Sequence, residues 1–171
     1  KQTEMKQCAT HMHTFPHAST NKEEIWGEVT KGVEQVCYRL RAHKKKAKLF
    51  HVMLRPQAME QRKNVRLGRS FRVIHTNRDQ DVLPEFSKHF DELYRICRYN
   101  GIEVRGIGVF SSEIKNHNTD QFDLFDTEKH RRESLYNAID SIRDRGKFNI
   151  INFGASKKTV KGRTHFLERC D

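Results

Sequence analysis

The residue that first invites a chemical reading is Gln121, because it opens the pentapeptide Gln121-Phe122-Asp123-Leu124-Phe125 between two polar stretches. A glutamine ahead of a leucine and a phenylalanine suits docking rather than catalysis. The apolar side chains enter a partner's pocket and the amide hydrogen-bonds at its rim. Asp120, Asp123 and Asp126 lie at three-residue spacing around it, but in a loop and with no histidine or nucleophile beside them, so acid–base chemistry is not indicated. Cys8, His11, His13 and His17 crowd the start of the chain in no standard zinc spacing. Their expected place is the edge or polar face of a sheet.

Cations dominate the rest. The chain has 171 residues, with 33 Lys and Arg against 22 Asp and Glu, a formal net charge of +11. Lys44–Lys46 and the group Lys157, Lys158, Lys161 and Arg163 are densest. Such an excess favours a polyanionic partner, usually nucleic acid. No apolar run approaches the roughly 20 residues that span a bilayer, and no secretory signal is seen, so no membrane role is expected. Cys8, Cys37, Cys97 and Cys170 form no CxxC pair and read as reduced thiols of a cytoplasmic protein, Cys37 and Cys97 on buried helix faces. The first residue is Lys1, which points to a piece of a longer chain.

The elements that must position these groups follow from periodicity. Residues 1–7 read as a linker tail, and Cys8–Phe15 as a strand ended by Pro16. A helix starts at Ser19–Asn21, carries Glu23 and Glu24 in its first turn, and repeats Ile25, Val29, Val33, Val36, Cys37 and Leu40 at helical spacing. It ends in the basic run Arg39–Lys48. Leu49–Arg55 alternates as a strand, with Phe50, Val52 and Leu54 facing one way and Leu49, His51, Met53 and Arg55 the other. Pro56 stops it. Val65–Thr76 is the next strand, Val82–Tyr99 a second helix stopped at Asn100-Gly101, and Ile102–Ile114 a fourth strand. A helix over 128–145, with Leu135, Ile139 and Ile142 on its apolar side, a short strand over 148–153 and a basic tail complete the chain. The order β-α-β-β-α-β predicts an α+β fold, a four-stranded sheet with two helices on one face, plus a C-terminal helical extension. The other sheet face stays open, with Ser70, Arg72 and Ser112 on it. Leu49, Met53 and Phe110 are apolar exceptions there.

Five segments, in order, resemble the C-terminal little-finger domain of Y-family translesion DNA polymerases. They are His13-Thr14-Phe15-Pro16, Ala47–Arg55, Arg69-Ser70, Glu103–Ser112 and Ala138–Arg145. Gln121–Phe125 looks like the family's clamp-binding box. The resemblance covers roughly residues 7–165 and fits the polymerase IV, polymerase V catalytic-subunit and Gram-positive repair-polymerase groups. Departures are Gln7-Cys8-Ala9 for the family's Lys-Ser-Ile, Gly146 after Asp144-Arg145, Phe122 for a leucine, and Leu49 and Met53 for polar residues.

The resemblance implies a DNA-binding domain over 8–114 and a clamp-binding loop, helix and basic tail over 115–171. It implies contact with primer–template DNA phosphates through His13, Thr14, Lys48, His51, Arg55, Arg69, Ser70, Arg72, Arg105 and Ser112. It also implies docking to a bacterial sliding clamp through Gln121, Phe122, Asp123, Leu124 and Phe125. The expected role is damage tolerance and repair, including the SOS response, in a cytoplasmic, nucleoid-associated monomer. The family's catalytic carboxylates and their Mg2+ lie in a palm upstream of this domain, so no cofactor and no polymerase activity are expected of this chain. The alternative from another class is a stand-alone regulatory protein that binds DNA and occupies the clamp.

Overall fold

The computed structural model describes residues 8–58, 67–116, 127–145 and 163–165. Along the chain these form β1 (Ala9–Ser19), α1 (Lys22–Ala42), β2 (Lys45–Pro56), β3 (Gly68–Thr76), α2 (Asp79–Tyr99), β4 (Val104–Asn116), α3 (Thr127–Arg145) and β5 (Arg163–His165). The strand order is β3-β2-β4-β1-β5, and the pairings are antiparallel. The expected β-α-β-β-α-β sheet is present, and β5 from the basic tail adds three residues alongside β1. The expected strand over 148–153 lies outside the described residues.

Local chemistry sets each helix. Asn21 caps α1 by accepting hydrogen bonds from the Glu23 and Glu24 amides at 2.9 and 3.4 Å. Ile25, Val29, Val33, Val36, Cys37 and Leu40 are then buried against the sheet, each large aliphatic stabilising by about 1.5–3 kcal/mol. Gly32 lets the helix approach closely, since a Cβ there would lie 3.0 Å from both His11 Cδ2 and Val109 Cγ2. α2 begins three residues before the expected Val82. The Thr76 hydroxyl accepts from the Arg78 amide and donates to Asp81 Oδ2 at 2.6 Å, so the polar turn is itself the helix start. Its end is as expected and has a cause. Gly101 takes φ 60°, and the amides of Ile102 and Gly101 bond back to the carbonyls of Cys97 and Arg98.

The core lies between the two helices and one sheet face. Phe50, Phe71 and Phe86 meet there with ring centroids 4.9–6.0 Å apart. Cys37 and Cys97 are buried and free as expected, and burial pushes the Cys97 thiol up to about 11. Cys8, by contrast, is disulfide-bonded, which corrects the reading of all four cysteines as reduced thiols.

Strand limits also differ from expectation. β1 runs through Pro16 to Ser19, with its ladder to β4 irregular between Thr14 and Ser19. An exposed proline is tolerated at such an interruption. The basic run is split: α1 ends at Ala42, Lys44 reverses the chain at φ 52°, and β2 begins at Lys45.

The largest departure concerns α3. Leu135 and Ile142, expected on its inner side, are 52% and 45% exposed. Tyr136, Asp140 and Arg143, at i, i+4 and i+7, face the domain instead. Arg41 of α1 grips Asp140 with two hydrogen bonds, at 2.6 and 2.9 Å, and lies over the Tyr136 ring. Arg143 reaches Glu34 at 3.2 Å, both side chains buried. The Tyr136 hydroxyl donates to Asp79, and that of Tyr38 to Asp144. A helix held by ions does not advertise its inner face through hydrophobic spacing. Among the described residues, no helix is long and apolar enough to cross a membrane.

Candidate nucleic-acid interface

Register decides which side chains reach the open face. β2 lies between β3 and β4, and its core residues Phe50, Val52 and Leu54 are opposite Ser111, Val109 and Ile107 of β4. Alternation then sends Leu49, His51, Met53 and Arg55 outward, opposite Ser112, Phe110, Gly108 and Gly106. On β3, Arg72 and Ser70 pair with Leu49 and His51 and share that face. On β1, Thr14 does so opposite Gly106. Six of the ten expected contact residues therefore converge: Thr14, His51, Arg55, Ser70, Arg72 and Ser112.

Four do not. His13 pairs with Ile107 and His11 with Val109, so both point under α1, 3% and 1% exposed. His13 Nε2 lies 3.8 Å from the buried Glu28 carboxylate. The expectation that these histidines line the sheet edge or the DNA face is thus corrected. Phe15, two residues beyond His13, is the core residue that gave their side away. Arg69 pairs with Val52 and so faces the helices, its Nε 3.6 Å from Glu92 of α2. It cannot share a face with Ser70, because neighbours in a strand point oppositely. Arg105 is the extra residue of a bulge between the Arg55–Gly106 and Pro56–Val104 pairs. Lys48 sits half-buried between the Ala47–Ile114 and Leu49–Ser112 pairs.

The converging groups hold one another. Arg55 donates to the Thr14 hydroxyl and lies over Gly106, where a Cβ would meet its Nη2 at 3.0 Å. His51 Nδ1 is 2.8 Å from Ser70 Oγ, and partial burial lowers the imidazole's pKa, favouring the neutral ring. Arg72 binds Glu113 through Nε and Nη2 at 3.1 and 2.6 Å. That bond lowers the Glu113 carboxyl below its ordinary range.

Glu113 had no signal in the sequence. Its φ of 52° turns a strand residue out of alternation. Phe110 and Met53, two of the three apolar exceptions, lie together over Gly108, where a Cβ would come within 2.7 Å of the Phe110 ring and 3.2 Å of Met53 Cε.

Among the described residues, no group of three or more His, Cys, Asp or Glu could hold a metal ion. Gln121–Phe125 lies outside the described residues.

The arrangement defines an α+β sheet domain with one face packed and one face open, carrying guanidinium and hydroxyl groups together with the apolar Leu49, Met53, Ile74 and Phe110. The model of the impB/mucB/samB family C-terminal domain matches residues 7–124, and the chain belongs to that family as a Y-family polymerase little-finger domain. Among solved structures, it is similar to a Y-family DNA polymerase chimera, Dbh-Dpo4(243-245)-Dbh. That match has 13% identity and a TM-score of 0.47, and covers 65% of this chain and 29% of the other. No curated protein sequence matches the chain.

Proposed function

We propose that this chain holds a translesion polymerase on primer–template DNA through the open sheet face, and that Gln121–Phe125 tethers it to a bacterial sliding clamp. The observation that carries the reading is the convergence of Arg55, Arg72, His51, Ser70, Thr14 and Ser112 on one face of a chain with net charge +11. Guanidinium and hydroxyl groups on a flat sheet suit phosphate oxygens. Phosphate contacts hold register without reading sequence, as damage-tolerant synthesis requires. The family membership supports the same assignment, and chemistry at the primer terminus then belongs to a palm that this domain positions.

The test is binding of the full chain to labelled primer–template DNA across a salt series. Affinity falls steeply with salt because each neutralised phosphate releases counterions. Arg55→Ala weakens binding to all sequences alike and reduces the salt slope by about one. A flat salt response rejects phosphate contact. For the tether, changing Gln121, Leu124 and Phe125 together to Ala abolishes binding to a purified clamp, and unchanged affinity rejects it.

A further inference from the structure

Two rings on the open face are placed in a way that phosphate contact does not need. Phe110 on β4 and His51 on β2 are cross-strand partners, with centroids 5.6 Å apart and planes at 62°. Each ring lies over a glycine of a neighbouring position. A Cβ at Gly108 would sit 2.7 Å from Phe110 Cε2 and 3.1 Å from its Cζ, so the phenyl ring leans down along its own strand. A Cβ at Gly68 would sit 2.9 and 3.0 Å from His51 Cε1 and Nε2, so the imidazole leans toward β3, where Ser70 fixes its Nδ1. Met53 lies over the same glycine as Phe110, its Cε 3.2 Å from where the Gly108 Cβ would sit. The two glycines thus make room for two rings laid against the sheet. Both rings remain partly exposed.

Cations border this platform. Arg55 lies two residues beyond Met53 on the same face, and Arg72 is on β3 two residues beyond Ser70. A partly exposed phenyl ring, held edge-to-face by His51 and lying between guanidinium groups, matches an unpaired nucleobase with phosphates on either side. Stacking of that kind tolerates any base.

We propose that Phe110, steadied by His51, forms a stacking site for an unpaired base, so that this face binds single-stranded DNA in addition to duplex. The proposal rests on the open face being a nucleic-acid surface, and its distinguishing contact, Phe110, is not among the residues assigned to phosphate.

The experiment uses the full chain, a labelled dodecamer of thymidine, an abasic oligonucleotide of the same length and charge, and blunt duplex DNA. Phe110→Leu keeps an apolar side chain and removes the ring. It lowers affinity for the dodecamer by about tenfold, with duplex and abasic binding changed less than about twofold. A 2-aminopurine placed in the strand is quenched on binding to the parent chain and not to the Phe110→Leu chain.

Equal dodecamer affinity in the two chains overturns the proposal. So does a parallel loss on duplex and single strand, which assigns the face to duplex alone. A concentration-dependent dimer that Phe110→Leu abolishes also overturns it, since a second copy is then the occupant. If the parent chain fails to bind duplex yet shows the ring-dependent single-strand affinity, the primer–template reading fails while the stacking site stands.

Discussion

Arg72 and Glu113 are joined across the open face, with Nη2 2.6 Å from Oε1, so one of the guanidinium groups that would meet a phosphate is already held by a carboxylate. Glu113 reaches it because its backbone takes φ 52°, a conformation that asparagine accepts more readily than most residues. Glu113→Asn therefore keeps the turn and removes the charge. Affinity for primer–template DNA is expected to rise about threefold at moderate salt, mainly through faster association. Anisotropy titration and stopped-flow association measure both. Weaker binding by Glu113→Asn would mean that the carboxylate positions Arg72 for the phosphate instead of competing with it.

Gly106 supports a second prediction. A Cβ on it would lie 2.5 Å from the His13 carbonyl oxygen and 3.0 Å from Arg55 Nη2. The first neighbour is backbone and cannot yield cheaply. Gly106→Ala should destabilise the domain by about 1–3 kcal/mol and should also weaken DNA binding, because Arg55 loses its seat. Urea unfolding followed through Trp26 fluorescence gives the first quantity. An unchanged midpoint would show that β1 and β4 can separate locally without cost.

What could be read in the sequence was what local chemistry writes there. Phe50, Val52 and Leu54 alternate, and Ile25, Val29, Val33 and Val36 recur at helical spacing, so β2, α1 and the packed face were legible. The side taken by β1 was harder to read, because His11 and His13 look like surface residues and Phe15, in step with them, was the sole apolar signal; the register opposite Val109 and Ile107 places them. Arg69 was misplaced for the opposite reason: its type suggested DNA, while its parity with Phe71 put it beside Glu92. Glu113 and the Arg105 bulge depend on single backbone angles or register steps that no spacing encodes. The rings of Phe110 and His51 needed Gly108 and Gly68 to be seen as the space they occupy.

The attachment of α3 is open to test through Asp140. Its carboxylate takes both Arg41 hydrogen bonds, and Arg41 is only 9% exposed at its side chain. Removing one partner of a largely buried pair costs about 3 kcal/mol or more. In Asp140→Ala this cost is avoided by undocking α3, whose Leu135 and Ile142 face is already exposed. The expected result is faster amide exchange over residues 127–145 with nearly unchanged exchange in α1 and β4. Uniform acceleration through the sheet would show that α3 is part of the cooperative core.

His11 makes the fold sensitive to acid. It is 1% exposed between α1 and β4, and burial, then the nearby His13, Arg39 and Lys31, lowers its pKa from 6.5 to about 3. Between those values the unfolded chain binds a proton that the native chain does not, so stability rises with pH across this window and falls as pH drops below 6.5. The slope from this one group approaches about 1.4 kcal/mol per pH unit. Lowering the pH from 7 to 5.5 should then cost about 1–1.5 kcal/mol from this residue. His11→Gln removes the titration while keeping a polar side chain. Its urea midpoint should fall less over the same interval, even where its stability at pH 7 is lower. Parallel pH profiles for the two chains would show that His11 is protonated in the native state, with a negative neighbour such as Glu28 outweighing its burial.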